Sequence, residues 1–203
     1  MTYDDKTKKD GINGMLGTER LILREMTQAD FPSLCKILQD DEVMYAYEGP
    51  FSEEEVQNWL DKQLSRYKEY GFGLWAVILK ESGVMIGQCG LTMQDCNGHS
   101  VLEIGYLFQK AYWHKGYALE AAIACKAYAF DKLGANEVYS IIRDTNIPSQ
   151  NVAQRNGMTC VGSFVKHYRG VTMPHFVYCI RNAVMQGALN NNTMTNSEAE
   201  QEQ

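Results

Sequence analysis

The stretch Leu102-Glu-Ile-Gly-Tyr-Leu-Phe108, then Gln-Lys-Ala-Tyr-Trp-His-Lys-Gly-Tyr-Ala118 and an alanine-rich run to Phe130, reads as strand, turn and helix. Residues 102–108 are apolar and aromatic with no proline, as a strand prefers. From Tyr117 onward, Leu119, Ile123, Ala127 and Phe130 recur at intervals of three and four, the helical period. Alanine, the best helix former, fills the middle. The turn is therefore a helix N-terminus, where N–H groups lack internal partners and partial positive charge collects. Gly116 lets an anion come close to the backbone. A phosphate-bearing ligand suits such a place, though a simple connection explains one glycine turn as well.

Bulk properties bound the rest. A chain of 203 residues, 45% hydrophobic and 22% charged, fits one globular domain with a full core. The net charge of −6 splits into zero for 1–17, −3 for 182–203 and −3 for the body. A mildly acidic body has no basic stripe and points away from nucleic acid. The opening residues are polar, so no secretory signal is read. No apolar run approaches ~18 residues, so no membrane span is expected. The six cysteines show no Cys-x-x-Cys spacing and lie mostly in apolar runs, which fits reduced thiols and a cytoplasmic location. Asp95, Cys96 and His99 cluster in sequence, but no ligand spacing recurs elsewhere. They read as a solvated loop and no metal is expected.

Working outward, residues 1–17 read as a mobile arm and 182–203 as a disordered polar tail. Residues 18–24 alternate as a first strand. Thr27 with Asp30 caps a helix striped by Phe31, Leu34, Cys35 and Leu38, with Pro32 in its first turn. Residues 40–50 read as a loop. Ser52 with Glu55 is a capping box before a second helix carrying Val56, Trp59, Leu60, Leu64 and Tyr67, and Gly71 ends it. Strands follow at 72–80 and 84–91, then a polar loop at 95–100. After the central strand and helix come a strand at Glu137–Arg143, a short helix from Pro148 to Gly157, and final strands at Thr159–Tyr168 and Val171–Arg181. One helix between 102–108 and Glu137–Arg143 is the layout of a parallel βαβ crossover. Periodicity alone gives a mixed α/β protein with one sheet.

Trp113-His-Lys-Gly-Tyr-Ala118 resembles the acyl-CoA pyrophosphate loop of the GNAT acetyltransferase superfamily, Gln/Arg-x-x-Gly-x-Gly/Ala. Trp113 departs at the first position, and His114 stands where glycine is frequent. Tryptophan followed by Lys-Gly-Tyr-Ala is similar to the branch of the ribosomal-protein N-terminal acetyltransferases. A second match is Asp144-Thr-Asn-Ile-Pro-Ser-Gln-Asn151 with the helix running to Gly157 and Met158. Two motifs in the right order are far more specific than either alone. The resemblance covers about 18–181. It implies the GNAT fold, an α/β mixed sheet in the order β-α-α-β-β-β-α-β-α-β-β. It also implies acetyl-CoA as co-substrate, no metal and an amine acceptor, either a protein N-terminus or a small molecule. A monomer or homodimer is expected.

The resemblance assigns roles residue by residue. Trp113, His114, Lys115, Gly116, Tyr117 and Ala118 would form the pyrophosphate loop. Leu107 and Phe108 would offer strand backbone to the pantetheine amides, as an edge pairs with a peptide. Asn146 and Asn151 would contact the pantetheine arm, and Ser149 would protonate the departing thiolate. Asn146 and Ser149 are equally ordinary helix-start residues. Glu103 would draw the acceptor's proton through water. An alkylamine of pKa ~10.4 costs about 4 kcal/mol to deprotonate near neutral pH, which a base in a cleft can offset. The alternative is a solvated strand-end glutamate. Ala153 replaces a tyrosine acid of other branches, leaving Ser149, Tyr168 or water as proton donor. Tyr45, Tyr47 and Glu48, facing Tyr168, His167 and His175, would form an aromatic acceptor groove with one carboxylate, suited to a cationic amine, although surface loop or core packing is the better reading of any one of them alone. The reading is an N-acetyltransferase acting by direct attack in a ternary complex. The alternatives are an acyl-CoA-binding sensor of the same fold and, lacking a Walker lysine-serine pair, a nucleotide-binding protein.

Overall fold

The computed structural model describes residues 15–183, so the expected arm and tail lie outside the described residues except at their inner ends. Leu16–Gly17 forms a short strand, β1, paired with β2 (Leu21–Arg24), which brings the last residues of the expected arm into the sheet. Then follow α1 (Phe31–Leu38), a single-turn α2 (Asp41–Met44), α3 (Glu53–Tyr70), β3 (Leu74–Leu79), β4 (Met85–Cys96) and β5 (His99–Phe108). The chain continues through α4 (Tyr117–Asp131), β6 (Glu137–Arg143), α5 (Ile147–Arg155), β7 (Thr159–Tyr168) and β8 (Val171–Arg181). The GNAT order holds, with β1 and α2 added. The sheet has eight strands in the order β1-β2-β3-β4-β5-β6-β8-β7. As the crossover layout implies, β5 and β6 are parallel.

Local chemistry explains the helix ends. At α3, Glu55 N–H donates to the Ser52 hydroxyl at 3.2 Å while Ser52 N–H donates to the Glu55 carboxylate at 2.8 Å. Gly71 closes α3 at φ +75°. The segment read as a loop at 40–50 is partly helical because the Asp40 carboxylate accepts the N–H groups of Glu42 and Val43 and nucleates α2.

One expectation fails for a physical reason. The polar loop at 95–100 is instead the end of a long hairpin. Cys96 pairs with His99 around Asn97-Gly98, at φ +54° and +85°. Asn-Gly is the sequence that accepts such a turn most readily. This end of the hairpin stands largely in solvent, so its polarity reports exposure and not loop structure. The helix read at α4 is present, and its buried face is made of small residues. Ala121, Ala122, Cys125 and Ala129 are buried, while Ile123 is exposed. Small residues let α4 lie close on the sheet, and Cys125 Sγ comes within 3.6 Å of Cys89 Sγ.

Neighbouring residues of β4 place the two helical layers. Gln88 accepts the Trp59 indole N–H of α3 at 2.9 Å, while Cys89 touches α4. Successive strand residues point to opposite faces, so α3 and α4 cover opposite sides. β3, Leu-Trp-Ala-Val-Ile-Leu, is buried along its whole length, as a doubly covered strand must be.

The feature that makes a site is a parting in the sheet. β5 and β6 pair only at Glu103 and Tyr139 among the described residues. Beyond that point Ser140 reaches across with its side chain, its hydroxyl donating to the Ile104 carbonyl at 2.9 Å. The Phe108 carbonyl, on the same side, accepts the Trp113 indole N–H at 2.9 Å. Main-chain groups alternate along a strand, so those of Tyr106, between Ile104 and Phe108, also face the gap.

Candidate active site

A cleft of about 700 Å³ opens at the parting of β5 and β6. Residues 103–107 form part of its wall, with 140–143 of β6 opposite and 164–168 of β7 beyond. Glu103 lies on this wall, and its carboxylate accepts the Ile141 N–H at 3.0 Å. Burial raises its carboxyl above the ordinary carboxylate range, against the pull of that N–H and of the Lys166 and Arg66 charges. A base for an amine benefits from this direction of shift.

On the α4 face, Tyr106 spans the gap. Its hydroxyl donates to the Ser149 carbonyl at 2.9 Å and is pushed up strongly by burial. Asn146 caps α5 through its side-chain oxygen, which accepts the Ser149 N–H at 3.2 Å. Asn146 and Ser149 both reach the cleft while performing this capping role. Asn151 is exposed and does not line it.

The turn before α4 leaves main-chain N–H groups outside the helical ladder. Gly116 sits at φ +82° and His114 at φ +59°, so a non-glycine residue occupies a left-handed position where glycine is the easier choice. The first helical bond runs from Glu120 N–H to the Gly116 carbonyl at 3.0 Å. The N–H groups of Tyr117, Ala118 and Leu119 therefore precede the ladder. Arg20 braces the turn. It donates to the Lys115 carbonyl at 3.0 Å, pairs with Glu120 at 2.6 Å and lies over the Tyr117 ring at 4.4 Å. Burial raises the Glu120 carboxyl, but hydrogen bonds from Thr18 and Arg20 outweigh this and hold it below its ordinary range. Trp113 ties the turn to the end of β5. Lys115 lies over the Tyr112 ring at 5.3 Å.

Across the sheet, the wall is aromatic. Tyr47 packs edge-on against Phe51 and Trp59 at centroid distances of 6.4 and 6.2 Å, and burial raises its phenol. Tyr47, Tyr168, His167 and His175 line the cleft. Tyr45 does not, and Glu48 is committed elsewhere: its carboxylate pairs with Arg143 at 2.5 Å. The acidic residues on the cleft wall are thus Glu103 and Asp95, and Glu48 is not among them. Arg143 also donates to the Tyr45 carbonyl at 3.1 Å, fixing this loop to β6. On the other side the β7–β8 turn crosses to α3. Arg169 pairs with Glu55 and stacks over Phe51 at 5.2 Å.

Leu107 lines the cleft through its position on β5, whereas the Phe108 side chain is buried against Gly87. Sequence reasoning missed Tyr106 and the cleft cations Lys62, Arg66 and Lys166. The alternation of Tyr106 with Ile104 and Phe108, and the one-turn spacing of Lys62 and Arg66, were the available signals. Asp95, Cys96 and His99 lie on the β4–β5 hairpin, and no metal-holding cluster occurs among the described residues. No helix among those residues is long and apolar enough to cross a membrane.

Residues 20–159 match the family described as Acetyltransferase (GNAT) domain. The chain is 35% identical over 144 residues to the Bacillus subtilis (strain 168) "Uncharacterized protein YkkB", spanning 70% of this chain and 84% of that one. It is 32% identical over 150 residues to the "Uncharacterized N-acetyltransferase YnaD" of the same organism, spanning 73% and 85%. The crystal structure of the GNAT-family acetyltransferase from Bacillus anthracis is similar with a TM-score of 0.71 and 27% identity, covering 81% of this chain and 96% of that one. The chain belongs to the GNAT acetyltransferases. It is accordingly an N-acetyltransferase, of a fold whose enzymes use acetyl-CoA as co-substrate.

Proposed function

We propose that this enzyme moves an acetyl group from acetyl-CoA to a primary amine by direct attack in a ternary complex. The acceptor is a protein or peptide N-terminus, as in the ribosomal-protein branch its motifs resemble, or a small amine. The observation that carries the reading is Glu103, a carboxylate raised by burial beside a stretch of strand left unpaired. The residues present fit the co-substrate. The left-handed Gly116 and the free N–H groups at the start of α4 suit a pyrophosphate. The open main chain of Tyr106 suits the amides of a pantetheine arm. Acetyl-CoA supplies a thioester carbonyl open to attack by an amine.

The chain's own residues then divide the work. The parted strands hold two reactants side by side, so much of the acceleration comes from orientation. Glu103 takes the proton that the amine must lose, through water. Ser149 or Tyr168, both on the cleft wall, or a water molecule returns a proton to the sulfur. The Tyr47–Phe51–Trp59 cluster shields that half of the cleft from solvent. The test is free-thiol release from acetyl-CoA by the purified protein over a panel of peptides and small amines. Saturable release that depends on the amine is expected. Tight acetyl-CoA binding with no release for any amine would favour the sensor reading.

A further inference from the structure

The cleft contains more positive charge than its own carboxylates answer. Lys62 and Arg66 line it from α3 and Lys166 from β7, while Glu103 and Asp95 are its only acidic wall residues among those described. None of the three cations lies in an ion pair among the described residues. The cleft's other arginine, Arg143, is paired with Glu48, and Arg169 at its edge is paired with Glu55. Arg66 is half-buried, and its Nη1 donates to the Gln63 amide oxygen at 3.2 Å. Arg66 and Lys166 both act electrostatically on Glu103 without reaching it. A half-buried guanidinium without a carboxylate carries a desolvation cost that a ligand anion can offset. Lys62 and Arg66 stand one helical turn apart and so share one side of α3.

We infer that the acceptor amine carries a carboxylate, which Arg66 holds as a charge-assisted fork with Lys62 and Lys166 flanking it. This rests on the acetyltransferase reading of the cleft and names the substrate class. Guanidinium and carboxylate match in geometry as well as charge. The same cations disfavour polyamines and aminoglycosides, whose extra positive charges would face a positive wall. They also help the reaction, because a cation near an amine lowers its pKa and so frees its lone pair nearer neutrality. Glu103 then meets the amino end of a zwitterion and Arg66 the acid end.

The experiment compares matched amines that differ only in the acid. Methionine and phenylalanine are set against their carboxamides, and the peptide amides Ser-Glu and Ser-Gln against each other, with spermine as a polycation control. The acid of a pair should exceed its neutral partner in kcat/KM by about tenfold or more, the scale of one charged hydrogen bond. Arg66→Gln should bring the two rates of each pair together. Lys62→Gln, at an exposed position, does so partly and serves if the Arg66 variant folds poorly. Preference within the amino-acid pairs or within the peptide pair tells a free acid from an acidic peptide. A binding arm removes dependence on turnover: N-acetylmethionine and its amide are titrated calorimetrically into the parent and Arg66→Gln. Equal rates and equal heats for acid and amide, or a preference for spermine, would overturn the inference while leaving the acetyltransferase reading intact. Absence of thiol release for every amine bears on that reading alone, and the calorimetric arm still decides this one.

Discussion

The carboxylate of Glu103 accepts the main-chain N–H of Ile141 at 3.0 Å, across the line where β5 and β6 part. One oxygen thus closes the last rung that the separating strands cannot make themselves. The cost is a half-buried carboxylate, which desolvation raises above its ordinary range.

That arrangement has a stability signature. Because the folded pKa is raised, the protonated form is favoured by folding. The benefit is complete below the unfolded value, roughly 4.3, and is lost as pH rises through the folded value. At neutral pH the ionised side chain therefore weighs against the fold. Glu103→Gln keeps an oxygen for Ile141 and removes the charge. It should melt higher than the parent at pH 7, and the gap should close in acid. Melting curves from pH 4 to 8 check this. A gap that widens as pH falls contradicts it.

Gly116 should matter for the cofactor before it matters for the fold. Its added Cβ would meet nothing nearer than the Arg20 guanidinium, at 3.5 Å, so space permits alanine while φ +82° does not favour it. Gly116→Ala should cost about 1–2 kcal/mol of stability through left-handed strain and weaken acetyl-CoA binding by about tenfold or more. Valine strains the same backbone further, so alanine gives the cleaner reading. Calorimetric affinity equal to the parent's would remove the turn from the cofactor site.

The Arg169–Glu55 pair joins the β7–β8 turn to the start of α3 beside the aromatic side of the cleft. Solvent screens a surface pair of this kind, so it contributes little to stability. Arg169→Ala should therefore leave the melting temperature almost unchanged and raise KM for the acceptor, with acetyl-CoA affinity held. A change confined to kcat would place Arg169 in a different role.

Much of this was legible in the sequence, and the reasons differ by element. The capping box at Ser52 and Glu55 and the glycine at 71 marked α3 because those signals are local. The turn at Gly116 was legible for the same reason. The buried face of α4 was not, because close packing on the sheet selects alanine and leaves Ile123 outside. Polarity hid the Asn97-Gly98 hairpin, although that dipeptide is itself a turn signal. Glu48 looked free because its partner, Arg143, lies 95 residues away in sequence. The charge of the cleft was hidden for the same reason, since Lys62 and Arg66 line one cleft with Lys166 only when the sheet has formed.

The last prediction concerns turnover. If Glu103 relays the acceptor's proton, Glu103→Gln retains the Ile141 hydrogen bond and the shape of the wall but lacks the base. Loss of general-base assistance typically lowers the rate by about 10²–10⁴-fold. The loss should fall on kcat, with acetyl-CoA affinity little changed, because the carboxylate lies on β5 and away from the α4 turn. In the parent, the raised carboxyl must first ionise, so the acid limb of its pH profile should lie above the ordinary carboxylate range. The variant should lack that limb. Its deficit should also shrink as pH rises toward the amine's own pKa, where the acceptor arrives already deprotonated. Turnover against pH at saturating acetyl-CoA, for parent and variant with one acceptor, makes the comparison. Parallel profiles within about threefold of each other, far below the range for a lost base, would leave Glu103 as the residue that closes the sheet and nothing more.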